Sequence, residues 1–209
     1  MCEFNEPKAT FKTSLNSLIN QPYDEFIIAT CSKLPIDIKY DICWETKEGR
    51  VTCNGNKNKV KTVCTALGKL HARNVINDMA SGDIIIATDA DTVYPRDFIE
   101  KIVKYFKDKS VVAVETVGDI PLRGIPSIIS SSVRLSGRGS AFRKSVWDVI
   151  SHFDENADRT DPLIMMQEEE LLFYEKIATF GKVVFSNIVV HSICEPVKKK
   201  RGLRVSAVK

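Results

Sequence analysis

The stretch DIIIATDAD, residues 83–91, decides the fold class and the candidate chemistry. The run DIIIAT is short, apolar and β-branched, and it stands between Gly82 and acidic residues, which predicts a buried strand at the centre of a sheet. Residues two apart in a strand project to the same side, so Asp89 and Asp91 can direct both carboxylates beyond the strand end. Open α/β sheets bind their ligands at that end.

Two carboxylates in this position predict a site for a divalent cation. Such oxygen ligands suit Mg²⁺ or Mn²⁺, which commonly complete their coordination with phosphate oxygens and water. A metal-bridged diphosphate is therefore expected at Asp89 and Asp91. Asp-x-Asp also occurs on solvated loops, and the strand before it is what favours a function. A calcium-binding EF-hand fits less well, because the following TVYP lacks a third oxygen ligand and the turn glycine.

Outward from this stretch, the apolar periodicity alternates between strand and helix, which predicts an α/β fold with a mostly parallel central sheet flanked by helices. Residues 118–139 are rich in Gly, Pro and Ser and predict loops that line a site. The pattern predicts helices over residues 11–20, 61–80, 95–106, 146–150 and 169–180, and strands over residues 25–30, 39–44, 83–88, 111–114 and 183–190.

Composition limits the classes of protein. The chain has 209 residues, enough for one sizeable domain, and we expect that domain over residues 1–195 with a basic tail over 196–209. With 44% hydrophobic and 27% charged residues it is neither disordered nor membrane-spanning. The net charge of +3 comes largely from the tail, so nucleic acid is not an expected partner.

The six cysteines carry no Cys-x-x-Cys spacing, which argues against a zinc site. Disulfides stay open as an alternative, but a domain of this size does not need them, and reduced, packed thiols are the expectation. With no apolar run near ~20 residues and no signal-like N-terminus, a cytoplasmic protein is expected.

Several motifs in order resemble the family-2-type glycosyltransferases of the GT-A fold. ARN at 72–74, ASGDII at 80–85 and DAD at 89–91 resemble that family's ARN…A-x-GD…DxD progression. FNEP at 4–7 resembles its YNE segment, and LNSLINQPY at 15–23 resembles its L-x-SL-x-x-Q-x-Y helix end. GSAFRK at 139–144 and FDE at 153–155 resemble two later segments, so the resemblance covers about residues 3–192.

The resemblance implies a metal-dependent enzyme that moves a sugar from a UDP- or GDP-linked donor to a glycan, glycoprotein or lipid-linked acceptor. Asp89 and Asp91 take the place of the metal-binding DxD, with Mn²⁺ or Mg²⁺ as the cofactor. Glu170 falls on the position of the inverting base, with Glu169 as the alternative because EEE at 168–170 leaves the register open by one residue. An acidic helix start that complements the helix dipole is the competing explanation of these glutamates.

The resemblance also implies further contacts with the donor. Asn5, Glu6, Arg73 and Arg143 match positions near the nucleotide and diphosphate, and His191 matches a histidine that supplies a further metal ligand. For each of these residues a purely local role stays open, as a surface arginine, a helix start or a strand-end histidine. Residues 30–33, TCSK, depart from the family's D-x-S-x-D turn, which puts the contact with the nucleotide base in doubt.

Three other hypotheses stay open at this point. A non-catalytic sugar- or nucleotide-binding protein can share the fold, since fold does not imply function. A nucleotidyltransferase also uses carboxylates and a metal, but no glycine-rich, basic N-terminal phosphate loop is present in the sequence. The tail at 198–204 is most simply a solvated terminus; the alternative is contact with acidic lipid head groups, which would hold the protein peripherally at a membrane.

Overall fold

The computed structural model describes residues 1, 6–65, 68–122, 125–129, 135–150, 152–155 and 162–193. The basic tail and Asn5 lie outside these residues. The helices are α1 (Lys8–Leu18), α2 (Lys69–Met79), α3 (Phe98–Lys104), α4 (Lys144–Trp147) and α5 (Pro162–Ala178), with a 3-10 turn at Tyr105–Lys107. The strands are β1 (Phe26–Ala29), β2 (Asp41–Glu45), β3 (Val51–Cys53), β4 (Val60–Cys64), β5 (Ile84–Ile86), β6 (Thr92–Val93), β7 (Val111–Leu122), β8 (Ile125–Ile129), β9 (Ala141–Arg143) and β10 (Lys182–Ser192).

The described strands form two sheets. In the first, with the order β1-β4-β2-β3, β4 lies parallel to both β1 and β2, and β3 adds an antiparallel edge. The second has the order β5-β9-β7-β10-β6, with β8 pairing to the far end of β7. Its long parallel pair is β7 with β10, and the other pairs are antiparallel. The α/β class is confirmed.

The sequence pattern predicts β5 at the centre of a sheet, and this prediction is wrong. β5 is the end strand of the second sheet, where it pairs with β9. A cavity of about 890 Å³ separates it from β1, and Phe26 and Ile27 of β1 line this cavity together with all three residues of β5. Local apolarity shows that a strand is buried, whereas its neighbours in the sheet depend on tertiary contacts.

The predicted helix over residues 61–80 is wrong in its first part, which forms strand β4. Gly68 separates the two elements and adopts φ 116°, a conformation that glycine tolerates and other residues rarely adopt. No helix or strand is predicted over residues 45–60, yet this stretch contains β3, which pairs with β2. Similarly, β7 and β8 continue into the 118–139 stretch predicted as loops.

Apolar side chains from both sheets and their helices form the core. The largest cluster joins helices α1 and α3 to both sheets through Phe11, Leu15, Phe26, Ile28, Phe98, Ile102, Val114 and Val190. A second cluster packs α5 against β7 and β9 around Phe142, Trp147 and Phe173. α2 contributes to both the second cluster and a third one in the first sheet, so it is anchored on two sides.

Two disulfides correct the expectation of reduced thiols. Cys43 and Cys53 lie directly opposite each other on β2 and β3 and are bonded, with Cα atoms 4.0 Å apart. Cys31 and Cys64 are bonded just beyond β1 and at the end of β4, with Cα atoms 4.4 Å apart. The spacing of cysteines along the chain does not disclose this register, since β3 is not predicted as a strand and Cys64 falls within a predicted helix.

Within the described part of the chain, no helix combines the length and apolarity that crossing a bilayer requires.

Candidate active site

The turn after β5 is held in place by side chains from other elements. Ser14 of α1 donates through Oγ to the carbonyl oxygen of Thr92 at 2.6 Å and lies 3.1 Å from that of Asp89. The backbone N–H of Asp89 donates to Tyr94 Oη at 3.0 Å. Burial raises the pKa of Tyr94 well above its ordinary value, and the negative charge of Asp89 adds to this effect, so the phenol stays neutral. The Asp-Ala-Asp turn is thus fixed independently of any ligand.

Two cations of α2 face the first carboxylate of this turn. Lys69 and Arg73 are four residues apart and therefore share one face of the helix. Lys69 Nζ lies 3.1 Å and Arg73 Nη2 3.7 Å from Asp89 Oδ1. Burial alone would raise the pKa of Asp89, but the positive charges of Lys69, Arg73 and Arg138 together lower it below its ordinary value. Asp89 is consequently an ionised, compensated carboxylate.

Arg73 also connects Asp89 to helix α5. Its Nη1 donates to Glu170 Oε1 at 2.9 Å, and both side chains are buried, with residue exposures of 6% and 4%. Removing one partner from such a buried pair costs about 3–5 kcal/mol, because the other charge is left uncompensated. The pair therefore fixes Glu170 close to the Asp-Ala-Asp turn, although the two residues of the pair are 97 positions apart.

Gly137 allows Arg73 to occupy this position. A Cβ atom on Gly137 would overlap the guanidinium of Arg73 and would lie 2.8 Å from Asp89 Oδ1. Real Cβ atoms essentially never approach other heavy atoms this closely, so any other residue would displace Arg73 or Asp89. The turn at 137–139 is therefore the third wall of the site, after α2 and α5.

The second carboxylate of the turn, Asp91, is in the opposite electrostatic condition to the first. Burial raises its pKa, and the negative charge of Asp89 raises it further, while Thr92 donates one hydrogen bond of 3.3 Å to its Oδ1. A divalent cation would relieve this repulsion, and two carboxylates are oxygen donors of the kind that Mn²⁺ and Mg²⁺ prefer. The residues present fit the metal that the sequence predicts.

His191 lies on β10 next to the Asp-Ala-Asp turn, but the described side chains alone do not form a metal site with it. It pairs with Val93 across β10 and β6, and the backbone of the next residues bonds the turn through Ile193 N–H and Asp91 O at 2.6 Å. Among the residues the structure describes, no three His, Cys, Asp or Glu side chains are arranged to hold a metal. His191 as a metal ligand stays a prediction.

The other predicted residues differ in their placement. Glu169 accepts the backbone N–H of Asp154 at 3.0 Å, so Glu170 and not Glu169 contacts Arg73. Glu6 lies partly exposed ahead of α1. Asn5 is outside the described residues.

Arg143 does not reach the carboxylates, contrary to the position that the resemblance implies. It lies opposite Ile84, at the start of β5, whereas the Asp-Ala-Asp turn follows the other end of that strand. Its guanidinium donates to the carbonyl oxygens of Val111 at 2.8 Å and Phe106 at 3.0 Å. Arg143 instead braces the connection between α3 and β7.

Two residues of the site are absent from the sequence-based prediction: Lys69 and Gly137. Lys69 could have been found, since it precedes Arg73 by one helical turn. Gly137 carries no comparable signature, because its role depends on which helix packs against it.

Comparison with known proteins gives a family and a set of similar structures. The family model described as glycosyl transferase family 2 matches residues 1–134, which is more than half of the chain. No curated protein matches the sequence.

Among solved structures, the chain is similar to the mannosyltransferase PcManGT of Pyrobaculum calidifontis in complex with GDP-Man and Mn²⁺, with 18% identity and a TM-score of 0.62 over 96% of this chain and 56% of that one. It is similar to S. aureus TarS 1-349, with 15% identity and a TM-score of 0.62 over 91% and 58%. It is also similar to GalNAc-T7 with UDP, GalNAc and Mn²⁺, with 14% identity and a TM-score of 0.62 over 91% and 42%. The chain thus spans about half the length of these structures, and at these identities the likeness shows the fold.

Proposed function

The chain belongs to glycosyl transferase family 2, and on that premise we propose that it transfers a sugar from a nucleoside diphosphate donor to a hydroxyl acceptor. The observation that carries this proposal is the linkage of Asp89 to Glu170 through Arg73. It places two carboxylates, that of Asp89 on the turn and that of Glu170 on α5, on either side of the Arg73 guanidinium. The two similar structures with Mn²⁺ contain GDP-Man in one case and UDP with GalNAc in the other, which supports a sugar nucleotide as the donor class.

The proposed donor site is the Asp-Ala-Asp turn. Asp89 and Asp91 supply two oxygen ligands to Mn²⁺ or Mg²⁺, and His191 is the proposed third. When bound, the cation offsets the negative charge that develops on the departing diphosphate. Lys69 and Arg73 lower the pKa of Asp89 and so hold it in its ionised form.

The proposed acceptor side centres on Glu170. An inverting transfer requires a carboxylate that takes the proton of the acceptor hydroxyl as the new bond forms. Glu170 is held by Arg73 on one oxygen, which restricts its rotation, and its other oxygen is the proposed proton acceptor. Glu169 accepts the backbone N–H of Asp154, whereas Glu170 contacts Arg73 beside Asp89, which favours Glu170 for this role. The acceptor class is a glycan, glycoprotein or lipid-linked hydroxyl.

The proposal is tested by release of nucleoside diphosphate from a panel of UDP- and GDP-sugars, with Mn²⁺, with Mg²⁺ and with a chelator. Release that requires the metal and disappears in the Asp89→Asn, Asp91→Asn double variant supports it. Metal-dependent binding with no release from any donor would instead indicate a sugar- or nucleotide-binding protein. Release of pyrophosphate from a nucleoside triphosphate would indicate a nucleotidyltransferase.

A further inference from the structure

The carboxyl group of Glu115 is buried in β7 and takes no part in the proposed transfer. The residue is 2% exposed. The backbone N–H of Ser136 donates to its Oε2 at 2.7 Å, and the hydroxyl of Ser136 lies 2.8 Å from its Oε1. One side chain thus grips both the backbone and the hydroxyl of a residue 21 positions away. Buried polar groups that make such bonds determine which single conformation a loop adopts.

Ser136 is in turn the residue that presents Gly137 to the site. Gly137 follows it directly and lies against Arg73 and Asp89 so closely that it has no room for a side chain. The carbonyl oxygen of Ser136 accepts the hydroxyl of Ser140 at 2.5 Å, which closes the turn. A contiguous path of hydrogen bonds and contacts therefore runs from Glu115 through the turn to Arg73, and from Arg73 to Glu170.

We propose that Glu115 is a positioning residue: by fixing Ser136, it sets the 136–140 turn against Arg73 and thereby the orientation of Glu170 and Asp89. The assignment of a consequence for catalysis rests on the proposed transferase function. The positional effect on the turn rests on the contacts alone.

The ionisation of Glu115 supplies a readout that a merely structural residue would not give. Burial raises its pKa to about 8, and the negative charge of Glu170, which faces it from α5, adds to this effect. At neutral pH the carboxyl is therefore protonated. Above pH 8 the negative charge of Glu115 repels the carboxylate of Glu170, and we expect turnover to fall.

Two substitutions separate the effect of the bridge of hydrogen bonds between Glu115 and Ser136 from the effect of the ionisation of Glu115. Glu115→Gln keeps an acceptor for the Ser136 N–H and a donor for its hydroxyl, and it cannot ionise. We expect its turnover at pH 7 to stay within about threefold of the wild type, without the alkaline fall near pH 8. Glu115→Ala removes the bridge, and we expect kcat to fall about 10- to 100-fold with little change in KM, the cost of misplacing a catalytic group by about 1 Å.

Hydrogen–deuterium exchange of the backbone amides at 136–140 gives a measurement that needs no substrate. We expect faster exchange in Glu115→Ala and wild-type exchange in Glu115→Gln. Wild-type exchange and wild-type kcat in Glu115→Ala would overturn the proposal, and so would an unchanged alkaline fall in Glu115→Gln. Should Glu115→Ala not fold, Ser136→Ala, which removes the hydroxyl bond to Glu115 and also the acceptor of the Arg138 N–H, must speed exchange of the Ser136 amide itself, which donates to Glu115. If the wild type releases no nucleoside diphosphate, the transferase function fails, whereas the exchange experiment still decides the role of Glu115.

Discussion

Helix α2 carries two buried polar faces that differ in what they hold. On one face, His71 lies between two carboxylates, with Nε2 2.7 Å from Glu45 and Nδ1 2.9 Å from Glu155. On the other face, Arg73 lies between Asp89 and Glu170. The two residues are two positions apart, so they project to different sides of the helix.

The polar side chains of the His71 face bond to other residues of the protein. Next to it, Asn74 donates to the carbonyl oxygen of Phe153 at 3.0 Å and accepts its N–H at 3.1 Å. The network joins β2, α2 and residues 152–155. The Arg73 face instead borders Asp91, whose charge is disfavoured by burial and by Asp89. One face of α2 therefore connects it to β2 and residues 152–155, and the other face forms part of the candidate site.

The largest effect on turnover is expected for Glu170, the proposed base that Arg73 holds. Glu170→Gln keeps the shape of the side chain and an acceptor for Arg73, but removes the base. Turnover should fall by about 100-fold or more while donor binding persists, in line with the usual contribution of a general base. Steady-state kinetics with isothermal titration of the donor measures both quantities.

Glu169→Gln is the matched control, and its turnover should fall much less. An inactive Glu169→Gln with an active Glu170→Gln would show that the base lies one residue earlier on α5. Normal turnover with Gln at each of positions 168, 169 and 170 would refute the inverting mechanism.

A second prediction concerns Gly137, where an added side chain would displace the guanidinium of Arg73. Gly137→Ala places a methyl group where the guanidinium lies, and the displaced side chains should lower turnover by about 100-fold. The free energy of unfolding should fall by about 1–3 kcal/mol, the usual cost of overpacking. Gly82→Ala is the control, since its Cβ would meet only the carbonyl oxygen of Ile84, at 3.8 Å. Equal losses in kcat and stability for both variants would contradict the close contact at Gly137.

A third prediction separates the two carboxylates of the turn. Asp91→Asn removes a charge that the apo protein disfavours, so its melting temperature should be unchanged or higher, while its affinity for a Mn²⁺–nucleotide complex falls about 10-fold or more. Asp89→Asn should lower both, because it deprives Lys69 and Arg73 of their partner. Asp97→Asn is the control, because Asp97 pairs with exposed Lys101 one turn along α3. Unchanged affinity in the Asp89, Asp91 double variant would show that the metal lies elsewhere.

The smallest effect is expected on the His71 face, and it concerns stability. Burial alone would lower the pKa of His71, but its hydrogen bonds to Glu45 and Glu155 and their negative charges raise it above its ordinary value. A raised pKa in the folded state stabilises the protein fully below the unfolded value of about 6.5, and this stabilisation is lost as pH rises through the folded pKa. Relative to His71→Gln, the wild type should therefore melt higher near pH 5.5, roughly by 2–4 °C, and the difference should shrink with rising pH.

His152→Gln, at an exposed histidine near Asp78, controls for the loss of a surface imidazole. Turnover of His71→Gln should match the wild type at low pH if the two faces of α2 are independent. A large drop in kcat without a change in melting temperature would show that His71 belongs to the site.

The sequence predicts best what is local. The strand of DIIIAT and helix α5 follow from short-range pattern: the structure has the strand at Ile84–Ile86, within the predicted 83–88, and the helix at Pro162–Ala178, which begins before the predicted 169–180. The helix predicted over 61–80 is wrong at its start because residues 61–64 are judged together with the strongly helical residues after Gly68. Strand β3 is too short to be predicted, since only its pairing with β2 reveals it.

What the sequence cannot predict is the set of partners brought together by topology. Arg73 and Glu170 meet across 97 residues, and Ser136 reaches Glu115 from a turn rather than from a regular element. Arg143 matches a family motif, yet the antiparallel register of β9 carries it to the wrong end of β5. Motifs therefore locate the chemistry, whereas sheet order decides which side chains share it.

The two disulfides lie in the first sheet and in the segment directly after β1, and no side chain of the proposed site is a thiol. Closing a loop between cysteines 33 positions apart removes more freedom from the unfolded chain than closing one of 10, so the bond between Cys31 and Cys64 restrains it more. In a glutathione-rich compartment both would tend to open, whereas an oxidising one preserves them. The redox state of the surroundings would then act on the stability of the first sheet, to which the Asp-Ala-Asp turn does not belong.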